Sequence, residues 1–226
     1  MYLSGFKESP YLMVKPDSDL SNVNPEFLQN KYVVRLSGGD YDESFIKRFV
    51  YVFRNVKFLD IGNKFGGHKD NSFIYELPNL EGLVISLFRD VDFILNCSIL
   101  SKKLKQLHLT VYSKNKLKNL DALNDSLERL AISDFDEKDL TKLSALSNLK
   151  SLSFLTARIK NLKGIEAMTN LRVLSLGGVR SLVDISDITA LQNLKFLEFD
   201  ICWKLQDFSP IGQLKELEVL QLMDCK

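Results

Sequence analysis

Few residues in this chain have types that carry reaction chemistry, and they do not gather. The 226 residues hold two histidines, three cysteines and one tryptophan. His68 follows Gly66-Gly67 and His108 lies between Leu107 and Leu109, each without the company that turns an imidazole into a base. No nucleophile-elbow pattern, phosphate-binding glycine motif or Cys-x-x-Cys pair occurs, and Gly62, Gly66 and Gly67 do not open a helix as G-x-G-x-x-G. The hydroxyls of Ser133, Ser151 and Ser175 have no evident base to activate them. The sequence therefore predicts a protein that is not an enzyme and that needs no cofactor.

Charged clusters read as solvated faces. Lys102, Lys103, Lys105, Lys114, Lys116 and Lys118 alternate with leucines and lack interleaved aromatics on which bases would stack. Asp134, Asp136, Glu137 and Asp139 lack the ligand spacing and central glycine of a calcium loop. Cys202 and Cys225 are predicted to stack one coil apart as reduced, buried thiols, since a zinc site would require two further ligands and none recurs. Cys97, before Ser98-Ile99-Leu100, reads as core.

Composition narrows the class of partner. Thirty basic residues against twenty-nine acidic ones leave a net charge of +1, which supplies no field for a polyanion or a membrane surface. Hydrophobic residues make up 45% of the chain, enough for a folded core. The first ten residues show neither a basic segment followed by an apolar run nor a small-residue cleavage site. No apolar run reaches the roughly 18 residues of a membrane-spanning helix. The expected location is the cytoplasm, or outside the cell if a signal has been removed.

The elements that position these residues follow from a repeat. Leu-x-Leu type steps begin at Leu59, Leu83, Leu107, Leu130, Leu152, Leu174, Leu197 and Leu220, with spacings of 24, 24, 23, 22, 22, 23 and 23 residues. A fixed period of this size marks a solenoid with one supersecondary unit per turn. In Leu152-Ser-Phe154 the apolar residues alternate, as in a strand with one buried face. From Ile159 through Leu162, Ile165 and Met168 to Leu171 they recur at every third position, which suits a 3₁₀-like return. The predicted fold is an α/β solenoid of about eight leucine-rich repeats over residues 50–226, with a parallel sheet on the concave face and a 3₁₀ or irregular convex side. Residues 1–49 form a helical N-terminal cap with one divergent repeat.

The segments from Leu182 through Ile188 and Leu191 to Leu194, and from Leu205 through Ile211 and Leu214 to Leu217, resemble bacterial internalin-type leucine-rich repeats. The resemblance covers roughly residues 50 to 226 and implies a non-catalytic scaffold that meets a protein partner on its concave face. It also implies an asparagine three residues beyond the second Leu of each repeat. This chain has Lys64, Phe88, Tyr112, Phe135, Ala157, Val179, Cys202 and Cys225 there, so apolar fill is expected in place of an amide ladder. Two settings suit such a binder: a cytoplasmic immunity protein that neutralises a toxin, and an exported adhesion domain.

The cap reads in more detail. Tyr32-Val-Val-Arg-Leu36 alternates as a ninth strand, and Gly38-Gly39 permits a sharp turn. Asp40 or Asp42 can cap a helix to about Arg54 with Phe45, Phe49 and Phe53 on one face. Asn24-Pro25 reads as the start of a short helix through Gln29, and residues 1–31 are expected to shield the first strand. The C-terminal strand is expected to leave an uncapped edge that either pairs in a homodimer or marks truncation of a longer protein.

Outward strand positions form columns. The first runs Val33, Phe58, Gly82, Gln106, Arg129, Ser151, Val173, Phe196, Val219, and the second Arg35, Asp60, Val84, His108, Ala131, Ser153, Ser175, Glu198, Gln221. The third runs Ser37, Gly62, Ser86, Thr110, Ser133, Leu155, Gly177, Asp200, Met223. Val173, Phe196 and Val219 beside Glu198 and Asp200, with Trp203 just past the strand, have the make-up of a contact hot spot. Phe196, Glu198, Asp200 and Trp203 lead the expected partner-binding set, followed by Arg129 and His108.

Overall fold

The computed structural model describes residues 10–24, 33–37, 41–62, 70–87 and 93–225. Its main sheet has ten strands, all parallel, from β1 (Tyr11–Val14) and β2 (Val33–Leu36) through β3 (Phe58–Ile61), β4 (Gly82–Ser86) and β6 (Gln106–Val111). It continues through β8 (Arg129–Ile132), β9 (Ser151–Phe154), β10 (Val173–Gly177) and β11 (Phe196–Asp200) to β12 (Val219–Met223). The remaining pair, β5 (Leu95–Asn96) and β7 (Leu117–Lys118), makes a second small sheet in the return segments after β4 and β6. Each main strand pairs with the strand of the next coil, which is the geometry of a leucine-rich-repeat solenoid.

Alternation within each strand decides what is buried. The inward side chains Leu152, Phe154, Leu174, Leu176, Leu197 and Phe199 are all buried. Between strands the chain turns through short 3₁₀ segments such as Ile165–Ala167 and Ser186–Ala190. Three residues per turn place side chains at i and i+3 on one edge. Ile159, Leu162, Ile165, Met168 and Leu171 accordingly form an unbroken buried row.

The return from β2 to β3 contains the one regular helix among the described residues, α1 (Glu43–Phe53). Asp42 caps it, its carboxylate accepting the Phe45 N–H at 2.7 Å. Phe45, Phe49 and Phe53 lie on its buried face, with the Phe49 and Phe53 rings 4.7 Å apart. The helix crosses residue 49, where the sequence reading divides cap from repeats, and the sheet runs without a break from Tyr11. The shield over β2 is itself a strand: β1 pairs with β2 in parallel from Tyr11↔Val33 to Val14↔Leu36, giving ten strands where nine were expected. The expected helix through Gln29, the Gly38-Gly39 turn, His68, Lys64 and Phe88 lie outside the described residues.

Strand register follows the first two columns throughout. The third departs at one point. A bulge between Ile85 and Ser86 pairs Ser86 with Val111 rather than Thr110. The Thr110 hydroxyl still reaches back across the coils to donate to the Gly62 carbonyl at 2.9 Å and contacts the Ser86 hydroxyl.

Along the corner where an asparagine ladder was absent, Phe135, Ala157, Val179 and Cys202 are buried as expected. Polar stitching is not wholly lost there. The Cys202 thiol donates to the Leu176 carbonyl and the Cys225 thiol to the Phe199 carbonyl, each at 3.6 Å, so sulfur takes over part of the amide's task. On β12 the inward Leu220 and Leu222 are 44% and 46% exposed, because no described coil stacks over them.

Coil stacking leaves little room at Gly164, where φ is 100° and an added Cβ would lie 2.5 Å from the backbone of Leu140 and Thr141. At Gly212 an added Cβ meets nothing within 4 Å. Gly164→Ala is expected to destabilise the fold by roughly 1–3 kcal/mol. Gly212→Ala should be neutral or stabilising by up to about 1 kcal/mol. Urea denaturation midpoints of the two variants check the contrast.

Candidate protein-interaction surface

The outward face of the sheet divides into two unlike halves. Toward the N-terminus the chain fills its own hollow, with Val33, Phe58, Val84 and Ala131 forming a second apolar cluster separate from the main core. Beside it Arg35 clamps Asp60, its Nε and Nη2 donating to one carboxylate oxygen at 2.8 and 2.6 Å, while the other oxygen accepts from the Gly62 N–H at 3.0 Å. The Arg35 guanidinium also lies 4.0 Å from the Tyr11 ring centroid. Asp60 is only 4% exposed. Burying such a carboxylate requires this pairing. Strand β1, which sequence reasoning missed, supplies the aromatic lid.

From Ser151 onward the face opens. Val173 and Phe196 are half-buried, Val219 is exposed, and Leu155 at the end of β9 stands 70% exposed. Glu198 and Asp200 are partly exposed on β11. Trp203 is 45% exposed, with the Arg180 guanidinium carbon 4.5 Å from its ring centroid. Residues on the same register positions of neighbouring strands lie about 4.8 Å apart, so Val173, Phe196 and Val219 touch in sequence across three strands. Val173, Phe196 and Val219 therefore form one line across β10 to β12, with Glu198 and Asp200 on the middle strand.

Arg129 and His108 do not join it. Three strand steps separate Arg129 from Phe196 and four separate His108 from Glu198, or about 14 and 19 Å at that spacing. His108 lies between Val84 and Ala131, at the rim of the closed half. Leu155 and Arg180 are the members that the sequence reading left out. Leu155 breaks the polar third column, and Arg180 enters only through the turn that follows β10.

One sequence inference needs correction. A carboxylate does stand beside a central hydroxyl, since Ser175 donates to Glu198 Oε2 at 2.5 Å. Column order already placed these residues side by side, but side-chain reach across strands was not considered. Ser175 is buried, and its hydroxyl holds the Glu198 carboxylate against the neighbouring strand.

The remaining groups behave as quiet structure. Burial pushes the Cys97 and Cys202 thiols each up to about 12, keeping them protonated and weakly nucleophilic. All three cysteines are free thiols, with Cys225 only partly buried. Among the described residues no group of three or more His, Cys, Asp or Glu could hold a metal ion. Lys103 donates to Asn79 Oδ1 at 2.5 Å and Lys105 pairs with Glu81 at 3.5 Å, both on exposed ground where such contacts contribute little.

Among solved structures the chain is similar to several leucine-rich-repeat proteins. The chain is similar to an internalin (inlF) from Listeria monocytogenes, with 17% identity, a TM-score of 0.45, and 97% of this chain and 83% of the other covered. It is similar to internalin C2 from the same species at 22% identity and a TM-score of 0.44, covering 90% and 92%. A leucine-rich-repeat protein from Leptospira interrogans aligns at 17% identity with a TM-score of 0.48, covering 95% of this chain and 60% of the other. No protein-family model matches the chain, and no curated protein matches it in sequence. It is a leucine-rich-repeat solenoid. That fold rests on the chain's own ten-stranded parallel ladder and 3₁₀ returns, and the surface is read from its own residues.

Burial holds the His108 imidazole below its ordinary value of 6.5, against a smaller opposing pull from the Asp60 carboxylate. A depressed folded-state value means that the unfolded chain binds the proton more readily, so stability falls as pH drops below about 6.5. His108→Gln should flatten that part of the stability profile. Urea midpoints between about pH 5 and 7 test this, and an unchanged slope would contradict the assigned burial.

Proposed function

We propose that this chain is a non-catalytic binding module that engages another protein through the C-terminal half of its concave sheet. The observation that carries this reading is the contrast between the two halves. The first half is closed by Val33, Phe58, Val84 and the Arg35–Asp60 pair, while the second leaves Val173, Phe196 and Val219 available with Glu198 and Asp200 beside them. Apolar side chains grouped in this way, rimmed by carboxylates and an aromatic such as Trp203, fit the centre of a protein interface.

The same reading places the protein in the cytoplasm, where three free thiols stay reduced. Among the described residues no helix is long and apolar enough to cross a membrane. A role in neutralising a toxin suits a binder of this kind. A toxin gene beside its own would support that role, and a signal sequence in the full reading frame would instead support the exported, adhesive one.

Affinity capture from the native cell, followed by mass spectrometry, identifies the partner. Against that purified partner, Phe196→Ala and Glu198→Ala should each weaken binding about tenfold or more, a loss of at least about 1.4 kcal/mol, which only the energetically important minority of interface residues gives. His108→Ala should change it less than threefold. Unchanged affinity in both Phe196 and Glu198 variants would place the contact elsewhere.

A further inference from the structure

A groove of about 950 Å³ lies past the C-terminal ends of β6, β8, β9 and β10, outside the strand columns. A repeated corner builds it. Asp134, Gly178 and Ile201 have φ of 59°, 65° and 56°, turning the chain sharply after the strand. The next residue of each coil is buried, as at Phe135, Val179 and Cys202, and the one after it projects at the rim. Asp136, Arg180 and Trp203 are those rim residues, together with Arg158, which follows buried Ala157.

The groove's charge is lopsided in a chain that is nearly neutral overall. Its lining includes Lys114, Lys116, Arg158 and Arg180 against two carboxylates, Asp134 and Asp136. Both carboxylates are already engaged: Asp134 accepts from the Thr156 hydroxyl at 2.6 Å, and Asp136 pairs with Arg158 at 3.5 Å. The latter pair is exposed and therefore easily exchanged for a ligand carboxylate. Arg180 is held against Trp203, which fixes its planar fork at the groove edge. Sequence spacing showed the two lysines as part of a solvated run, and only the stacking of coils brings two arginines of later repeats beside them.

We propose that this groove binds an acidic, extended peptide segment of a partner protein. Guanidinium forks pair with carboxylates in two parallel hydrogen bonds, which favours Asp and Glu side chains over isolated point charges. The groove spans four coils, or about 14 Å at 4.8 Å per step, enough for roughly four residues of extended chain. Trp203 and exposed Leu155 at its margin suit an apolar residue next to the acidic run. Nucleic acid fits less well. Asp134 and Asp136 interrupt the basic surface, and a single tryptophan offers no ladder of stacking platforms. Trp203 borders both surfaces, but the groove lining shares no residue with the strand columns of Phe196 and Glu198, so variants at those positions test the concave reading separately.

The chain's one tryptophan gives a direct readout. The probe is an acetylated, amidated hexapeptide Glu-Asp-Leu-Asp-Glu-Glu, followed by Trp203 emission and, with a fluorescein label, by anisotropy. Saturable binding below about 1 mM is expected, weakening several-fold when salt rises from about 0.05 to 0.3 M. Arg158→Glu and Arg180→Glu should each weaken it at least tenfold in anisotropy, while Lys105→Glu, away from the groove, should not. Phe196→Ala should leave peptide affinity unchanged even where it abolishes capture of the whole partner, so the two readings fail separately. The proposal is overturned by the absence of saturable binding, by equal binding of a Lys-substituted peptide or of an oligothymidylate of similar length, or by Arg158 and Arg180 variants that bind as the parent does.

Discussion

Inward side chains in this molecule are buried by the coil before and the coil after, and by little else. A single repeat of some 22 residues exposes one flank of every strand and every 3₁₀ turn. Stacking removes that exposure and at the same time pairs the strand's backbone groups, so burial and hydrogen bonding are satisfied by the same act. The consequence is visible at the last described strand, over which no described coil lies. Leu197 and Phe199 are fully buried, whereas Leu220 and Leu222 at the same positions one coil later are nearly half exposed.

Stacking also sets where function can reside. A parallel ladder fixes outward residues in columns about 4.8 Å apart, and a column is closed or open according to the size and pairing of its members. Around β2 to β6, valines, Phe58 and the Arg35–Asp60 clamp close it. From β9 onward small residues give way to Val173, Phe196 and Val219, and the surface becomes available. At the ends of the strands a second consequence appears. The left-handed corners at Asp134 and Gly178 send the rim residues Asp136 and Arg180 to one edge, where Arg158 of the coil between them also lies. Ile201 is notable because a β-branched side chain disfavours that conformation. Its N–H donates to the Met223 carbonyl at 2.9 Å, so the hydrogen-bonded coil beside it holds the turn.

Much of this was legible in the residues, and the reasons are specific. Period and alternation gave the coil, and simple subtraction of positions placed Val173, Phe196 and Val219 in one line, because every insertion between strands had been absorbed in the returns. Phe45, Phe49 and Phe53 marked α1 for the same reason of spacing. What escaped was conformational. Tyr11–Val14 sits one period ahead of β2, with Leu12 22 residues before Val34, but its four residues are all apolar or aromatic and do not alternate, so the pattern did not announce a strand. The bulge at Ile85/Ser86 is a local slip that leaves hydrophobic alternation intact. The groove lies at positive-φ corners formed by Asp134 and Gly178, and the glycine alone hinted at it. The Ser175–Glu198 bond needed side-chain reach across strands, which column order does not convey.

The central claim is that the open C-terminal half of the concave sheet meets the partner. Hydrogen–deuterium exchange combined with side-chain radical footprinting, on the chain alone and in complex with its captured partner, tests it most directly. The account predicts that protection from radical labelling concentrates at Phe196, Val219 and Met223, while the 3₁₀ returns at 165–167 and 186–190 stay as reactive and as exchangeable as in the free chain. Protection confined to those returns, with the β10–β12 face unchanged, would contradict it.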